Sequence, residues 1–120
     1  MNIVIHPVGE IKIAEILSEN ILIREVQDAL DLMADCSYMG AGRIILHENS
    51  ILPDFFELQT GLAGEILQKF SNYKVKLAII GDFSKHARRS LMDFMYESNK
   101  LGHINFVGSL EKAIDALTNE

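Results

Sequence analysis

Short apolar runs of strand character alternate with amphipathic helical stripes along this chain, and that alternation restricts the fold more than any single motif. The strongest strand is expected at residues 75–80, with Gly81 and Asp82 at its carboxyl end. Others fall at 3–5, stopped by Pro7, and at 11–17, 43–47 and 104–107. In the 11–17 run Ile11, Ile13, Ile16 and Leu17 supply the apolar side, with Lys12 and Glu15 spaced toward solvent. Helical spacing is carried first by Val26, Ala29, Leu30, Met33 and Cys36, and Gly40 and Gly42 stop it. Pro53 and Asp54 can open a second helix, striped by Phe55, Leu58, Leu62, Ile66 and Phe70. Ser84 is expected to cap a third helix, which carries Ala87, Leu91, Phe94 and Met95 inward and ends near Gly102. Ser109 does the same for a fourth, with Leu110, Ala113, Ile114 and Leu117 facing in. The order β-β-α-β-α-β-α-β-α implies crossover connections. A single α/β domain over residues 1–120 follows, with a mixed, mostly parallel sheet of four or five strands.

Composition narrows the function classes. A chain of 120 residues, 48% apolar and 23% charged, is long enough to bury a core without metals or disulfides. Its formal net charge of −6 argues against nucleic acid, which needs a basic footprint. Cys36 is the only cysteine, which suits a reducing cytoplasm, and its helical position marks it as core filler rather than nucleophile. No apolar run approaches the length of a membrane span, and the amino terminus lacks the pattern of a leader, so no membrane association is expected. His6, His47, His86 and His103 are far apart and have no companion cysteine, which leaves them as surface or strand-end residues and gives no metal or cofactor site. Glycine-rich nucleotide motifs and nucleophile elbows are absent.

Thr60-Gly61-Leu62-Ala63-Gly64 is the segment that could carry regulation. A hydroxyl at a helix start is favourably placed to accept a phosphate, and Gly61 and Gly64 would let a partner come close. In the competing structural reading, Thr60 lies one turn inside a helix begun at Pro53 and bonds back to a preceding carbonyl. Two interior glycines would cost about 1 kcal/mol each relative to alanine, so something must offset them.

The carboxyl edge of the sheet is the second candidate. Asp82 lies where open α/β sheets place ligands, although Gly81-Asp82-Phe83-Ser84 is also a good turn and capping sequence. Lys85, His86, Arg88 and Arg89 crowd the turns after Ser84, where cations oppose a helix dipole. They suit either an anion clamp or a solvated face with an Arg89–Asp93 pair. Glu48, Ser50, Asp82 and Ser84 would be the polar contacts of a small-ligand site or weak enzyme.

Two resemblances bear on these choices. The hydroxyl-Gly-Leu-small pattern at Thr60, with Gly108-Ser109-Leu110-Glu111-Lys112-Ala113 before the last helix, resembles the anti-sigma-factor antagonists of the STAS domain family. That resemblance implies a STAS-like fold and places Thr60 at the family's phosphorylated serine. Leu58 and Gln59 intervene after Glu57, where that family has an acidic residue close by, and Pro53-Asp54-Phe55-Phe56 lengthens the loop. Over nearly its whole length the chain is similar to an uncharacterised bacterial family, domain of unknown function 4180. The matching words are Asp28-Ala29-Leu30-Asp31-Leu32-Met33, residues 60–70, residues 78–84 and Tyr96-Glu97-Ser98-Asn99. The second resemblance implies no activity. The expected role is a cytoplasmic regulatory or protein-interaction module, non-catalytic and switched at Thr60, with a homodimer as a further possibility. The small-ligand site is the alternative.

Overall fold

A computed structural model describes residues 1–86 and 88–119. Ala87, expected to face inward, lies outside the described residues. Strands β1 (Asn2–Val8) and β2 (Ile11–Leu17) form an antiparallel hairpin, with Ile5 opposite Ala14. Helix α1 (Val26–Tyr38) leads to β3 (Arg43–His47), α2 (Leu62–Asn72) to β4 (Lys76–Ile80), and α3 (Arg89–Leu101) to β5 (Ile104–Val107). Helix α4 (Leu110–Thr118) follows. The five strands stand in sequence order, and β2 to β5 are parallel. This is a single mixed α/β unit.

Strand order dictates where the helices go. Each parallel connection steps to the next strand in the same direction, and the right-handed rule therefore puts all three crossover helices on one face. The main core lies there: Ala29, Leu32, Met33 and Cys36 of α1, Ala63, Ile66, Leu67 and Phe70 of α2, and Leu91 and Met95 of α3 pack on Ala14, Ile16, Ile44, Leu46, Leu77 and Ile79. On the opposite face α4 alone seats Ala113 and Leu117 against Ile13, Ile45 and Ala78. Burial pushes the Cys36 thiol up to about 11, with the nearby Asp35 charge adding to the effect, so it acts as a packed apolar group.

Three local expectations are corrected. Glu15 is buried, at 6% exposure, and does not face solvent. Side chains alternate along a strand, so positions 12 and 15 cannot share one solvent face; Lys12 is exposed at the strand's start, whereas Glu15 continues the row of Ile13. The second helix begins at Leu62, because Pro53–Phe56 and Leu58–Thr60 are separate 3₁₀ turns and Gly61 between them and α2 is left-handed at φ 78°. Ser84 caps no α-helix. It lies in a 3₁₀ turn, Phe83–Lys85, and α3 starts at Arg89 with Arg88 as a cap that lends no side-chain bond.

Candidate functional site at the carboxyl edge of the sheet

Two histidine–carboxylate clusters flank the end of β3. On the α4 face, one side-chain repeat beyond Ile13 and Ile45, Glu15 meets His6 from β1 and His47 from β3. The Nε2–H of His6 donates to Glu15 Oε1, and that of His47 to Glu15 Oε2, both at 2.7 Å. Burial acts to raise the Glu15 pKa, but the two hydrogen bonds and the histidine charges outweigh it and hold the carboxyl below its usual 4.5. A carboxylate only accepts hydrogen bonds, so both imidazoles carry the proton on Nε2 and leave Nδ1 to the surroundings.

The next residue, Glu48, turns the other way. Its Oε2 accepts from His86 Nε2–H at 2.8 Å, and its Oε1 meets Lys85 Nζ at 3.1 Å. The His86 ring stacks on Phe56 with centroids 5.1 Å apart and on Phe83 at 6.2 Å. An open cleft of about 350 Å³ results, with Ile21, Ile51, Pro53 and Phe56 as its apolar wall and Glu48, Asn49, Glu57, Lys85 and His86 as its polar one. Gly81 makes the approach possible, since a Cβ there would lie 2.6 Å from Glu48 Oε1 and 2.8 Å from its Cβ. Gly81→Ala is therefore expected to expel the Glu48 carboxylate, cost about 1–3 kcal/mol and unstack His86. Denaturant midpoints and the aromatic resonances of His86 and Phe56 will read both effects.

The expected ligand set does not assemble here. Ser50 is fully buried, with a hydroxyl that finds no partner among the described residues, and its carbonyl accepts from the amides of Leu22 and Ile23. Asp82 serves its own turn: Ser84 donates to it through its hydroxyl at 2.5 Å and its amide at 3.2 Å, which lowers the Asp82 pKa. Of Glu48, Ser50, Asp82 and Ser84, only Glu48 lines the cleft. The monotonic strand order also provides no reversal point, the feature that opens a ligand crevice in doubly wound sheets. Nor do the cations crowd one helix dipole. Lys85 ends the 3₁₀ turn and His86 follows it, both on Glu48, Arg88 Nη1 pairs with Glu57 Oε2 at 2.7 Å, and only Arg89 enters the first turn of α3.

Thr60 is exposed and stands immediately before the Gly61 cap of α2. Its hydroxyl donates toward the carbonyls of Asp54 and Glu57, at 3.0 and 2.9 Å, and accepts from the Leu62 amide at 3.2 Å. The back-bond of the structural reading is thus present, but at the amide end of α2 and not inside a helix. Gly61 is explained by its left-handed backbone. Gly64 is exposed and a Cβ there would touch nothing, so no intramolecular packing requires it.

Glu15 with its partners His6 and His47 is the group that sequence reasoning missed, and His86 stood there only as one of a basic run, without Glu48 as its partner. Strand parity offered a partial signal, since residues 13, 15 and 45, 47 must share a face once β2 and β3 pair in the observed register. No group of three or more His, Cys, Asp or Glu among the described residues is arranged to hold a metal ion. No described helix is long and apolar enough to cross a membrane. Nothing among curated proteins or solved structures matches the chain. A family model does match, over residues 8–117, and the chain belongs to the family described as Domain of unknown function (DUF4180).

Proposed function

We propose that the protein is a cytoplasmic, non-catalytic regulatory module that binds a protein partner through the surface around Thr60 and the 81–89 loop, with phosphorylation of Thr60 as its switch. Support comes chiefly from the accessible Thr60 hydroxyl at the amide end of α2, where a helix dipole favours added negative charge. That hydroxyl closes the 54–62 loop on itself, and its acceptor residue Glu57 also holds Arg88. A phosphate would break the three local bonds, crowd the Glu57 carboxylate and offer Arg88 a stronger bidentate partner. Charge at one atom would thereby rearrange the loop and the start of α3 together. Gly61 and Gly64 leave the adjoining helix surface bare for close approach. The small-ligand alternative is less well supported, because Lys85 and His86 are already engaged by Glu48 and are not free to clamp an anion.

Thr60→Ala is expected to lower stability by about 0.5–1.5 kcal/mol through loss of the loop bonds, as read by urea titration. The regulatory test compares wild type, Thr60→Ala and Thr60→Asp in pull-downs from the native cytoplasm, with phosphosite mapping of the endogenous protein. The aspartate variant should recover a different partner set from the other two. Identical recovery by all three, or modification confined to other residues, would remove the switch.

A further inference from the structure

The loops that precede β3, β4 and β5, together with the β1–β2 turn, gather at the amino-terminal rim of the sheet, away from Thr60. Lys12, Lys74, Lys76 and Lys100 stand on this rim, and among the described residues none of them pairs with a carboxylate. At the opposite edge Lys85, His86 and Arg88 are all engaged. In a chain of net charge −6, cations left unneutralised together are a local reversal of sign; the acidic residues nearby are Glu10 in the β1–β2 turn, Asp35 near the end of α1 and Asp115 near the end of α4. The same rim exposes large apolar side chains: Tyr38 at 94%, Leu101 at 84% and Tyr73 at 65%. Beside Tyr73 a groove of about 350 Å³ runs between α1 and the segment that leaves α2, lined by Leu30, Met33, Ala34, Ser37 and Val75.

Lys74 adds an independent observation. Helices α1 and α3 leave their last turns through Gly40 and Gly102, at φ 80° and 79°. Helix α2 makes the same left-handed exit with Lys74 at φ 57°, the one non-glycine residue with positive φ among those described. A side chain is strained there and glycine would not be, so local folding does not account for a lysine at this position.

We infer that this rim docks a short acidic segment of another protein, one carrying a single apolar anchor. The anchor enters the α1 groove beside Tyr73, and its flanking carboxylates meet Lys74 first, while Lys12 and, from the hollow they share with Ala116 and Asn119, Lys76 and Lys100 extend the positive rim. Charge complementarity selects the acidic partner, and the small groove selects one anchor side chain. A continuous phosphate backbone or an anionic bilayer would also meet the exposed Asp35 and Asp115, which a short segment avoids.

Fluorescence anisotropy with the full chain tests this. The probe is a short labelled peptide rich in Asp and Glu around one Phe, set against its Asn/Gln counterpart, phosphatidylglycerol vesicles and oligothymidylate. The acidic peptide should bind about tenfold or more tightly than the neutral one, and added salt should weaken it. Tyr73→Ala and Lys74→Glu should each weaken it by about tenfold. Lys74→Gly gives the sharpest separation: it relieves the backbone strain and raises the thermal midpoint while still weakening the peptide. Equal binding of acidic and neutral peptides would overturn the inference. So would a Lys74→Gly variant that is stabilised with peptide affinity intact, or preferential capture of vesicles or oligonucleotide.

Discussion

Glu15→Ala is expected to destabilise the fold by about 2–4 kcal/mol, although it removes a single carboxylate from a strand whose other charged residue is the exposed Lys12. Glu15 is 6% exposed and receives two charge-assisted hydrogen bonds, from His6 and His47. Those bonds join β1, β2 and β3 through side chains, on the face where α4 covers Ile13 and Ile45. Truncation leaves a void and two imidazoles without their acceptor. Glu15→Gln should recover much of the loss, since glutamine can accept from one histidine and donate to the other if that ring changes tautomer. What the glutamine variant cannot recover is the pH dependence. The folded-state pKa of Glu15 is lowered, so the native state releases this proton more readily than the unfolded chain. Its contribution is present above the unfolded value of about 4.5 and is lost as pH falls through the lower folded value. Urea midpoints across the acid range should therefore fall less steeply for Glu15→Gln than for wild type. Parallel curves would show that the carboxylate is not held by its neighbours.

Phe70→Ala is the larger effect, about 3–5 kcal/mol. Phe70 is fully buried at the last turn of α2, in the cluster that joins all three crossover helices to the sheet. Its backbone matters as well, since the Val75 amide donates to the Phe70 carbonyl across the Lys74 turn. Native domains have a margin of about 5–15 kcal/mol, so the loss would consume a large share of it. Thermal denaturation should show either a strongly lowered midpoint or a chain already partly unfolded. A midpoint close to wild type would mean that α2 collapses into the void and that the helical face is less tightly packed than its burial implies.

The contrast between these two residues shows what was legible beforehand. Phe70 was visible in the sequence because it repeats with Ile66 at helical spacing, and that periodicity is local. Strand alternation alone sets Glu15 in the row of Ile13, but its charge points to solvent, and the partners that make its burial tolerable come from other strands. The start of α2 was misread for a related reason: the apolar spacing of Phe55 and Leu58 fits a helix, yet 3₁₀ turns and a left-handed Gly61 satisfy the same spacing. Cations after Ser84 would be costly at a helix start, but Lys85, His86 and Arg88 precede α3 and pair with Glu48 and Glu57, which leaves only Arg89 in its first turn.

By itself the sequence determined the α/β class, the alternation that yields a mixed sheet and most of the apolar faces of the helices. Those depend on residue spacing and turn chemistry within a few positions of chain. Tertiary structure alone decided that His47 reaches Glu15 across 32 residues and that His86 reaches Glu48 across 38, with room at Gly81 for the second. Strand register and helix placement are cooperative properties of the assembled core, and only once they are fixed do these side chains come within hydrogen-bond distance.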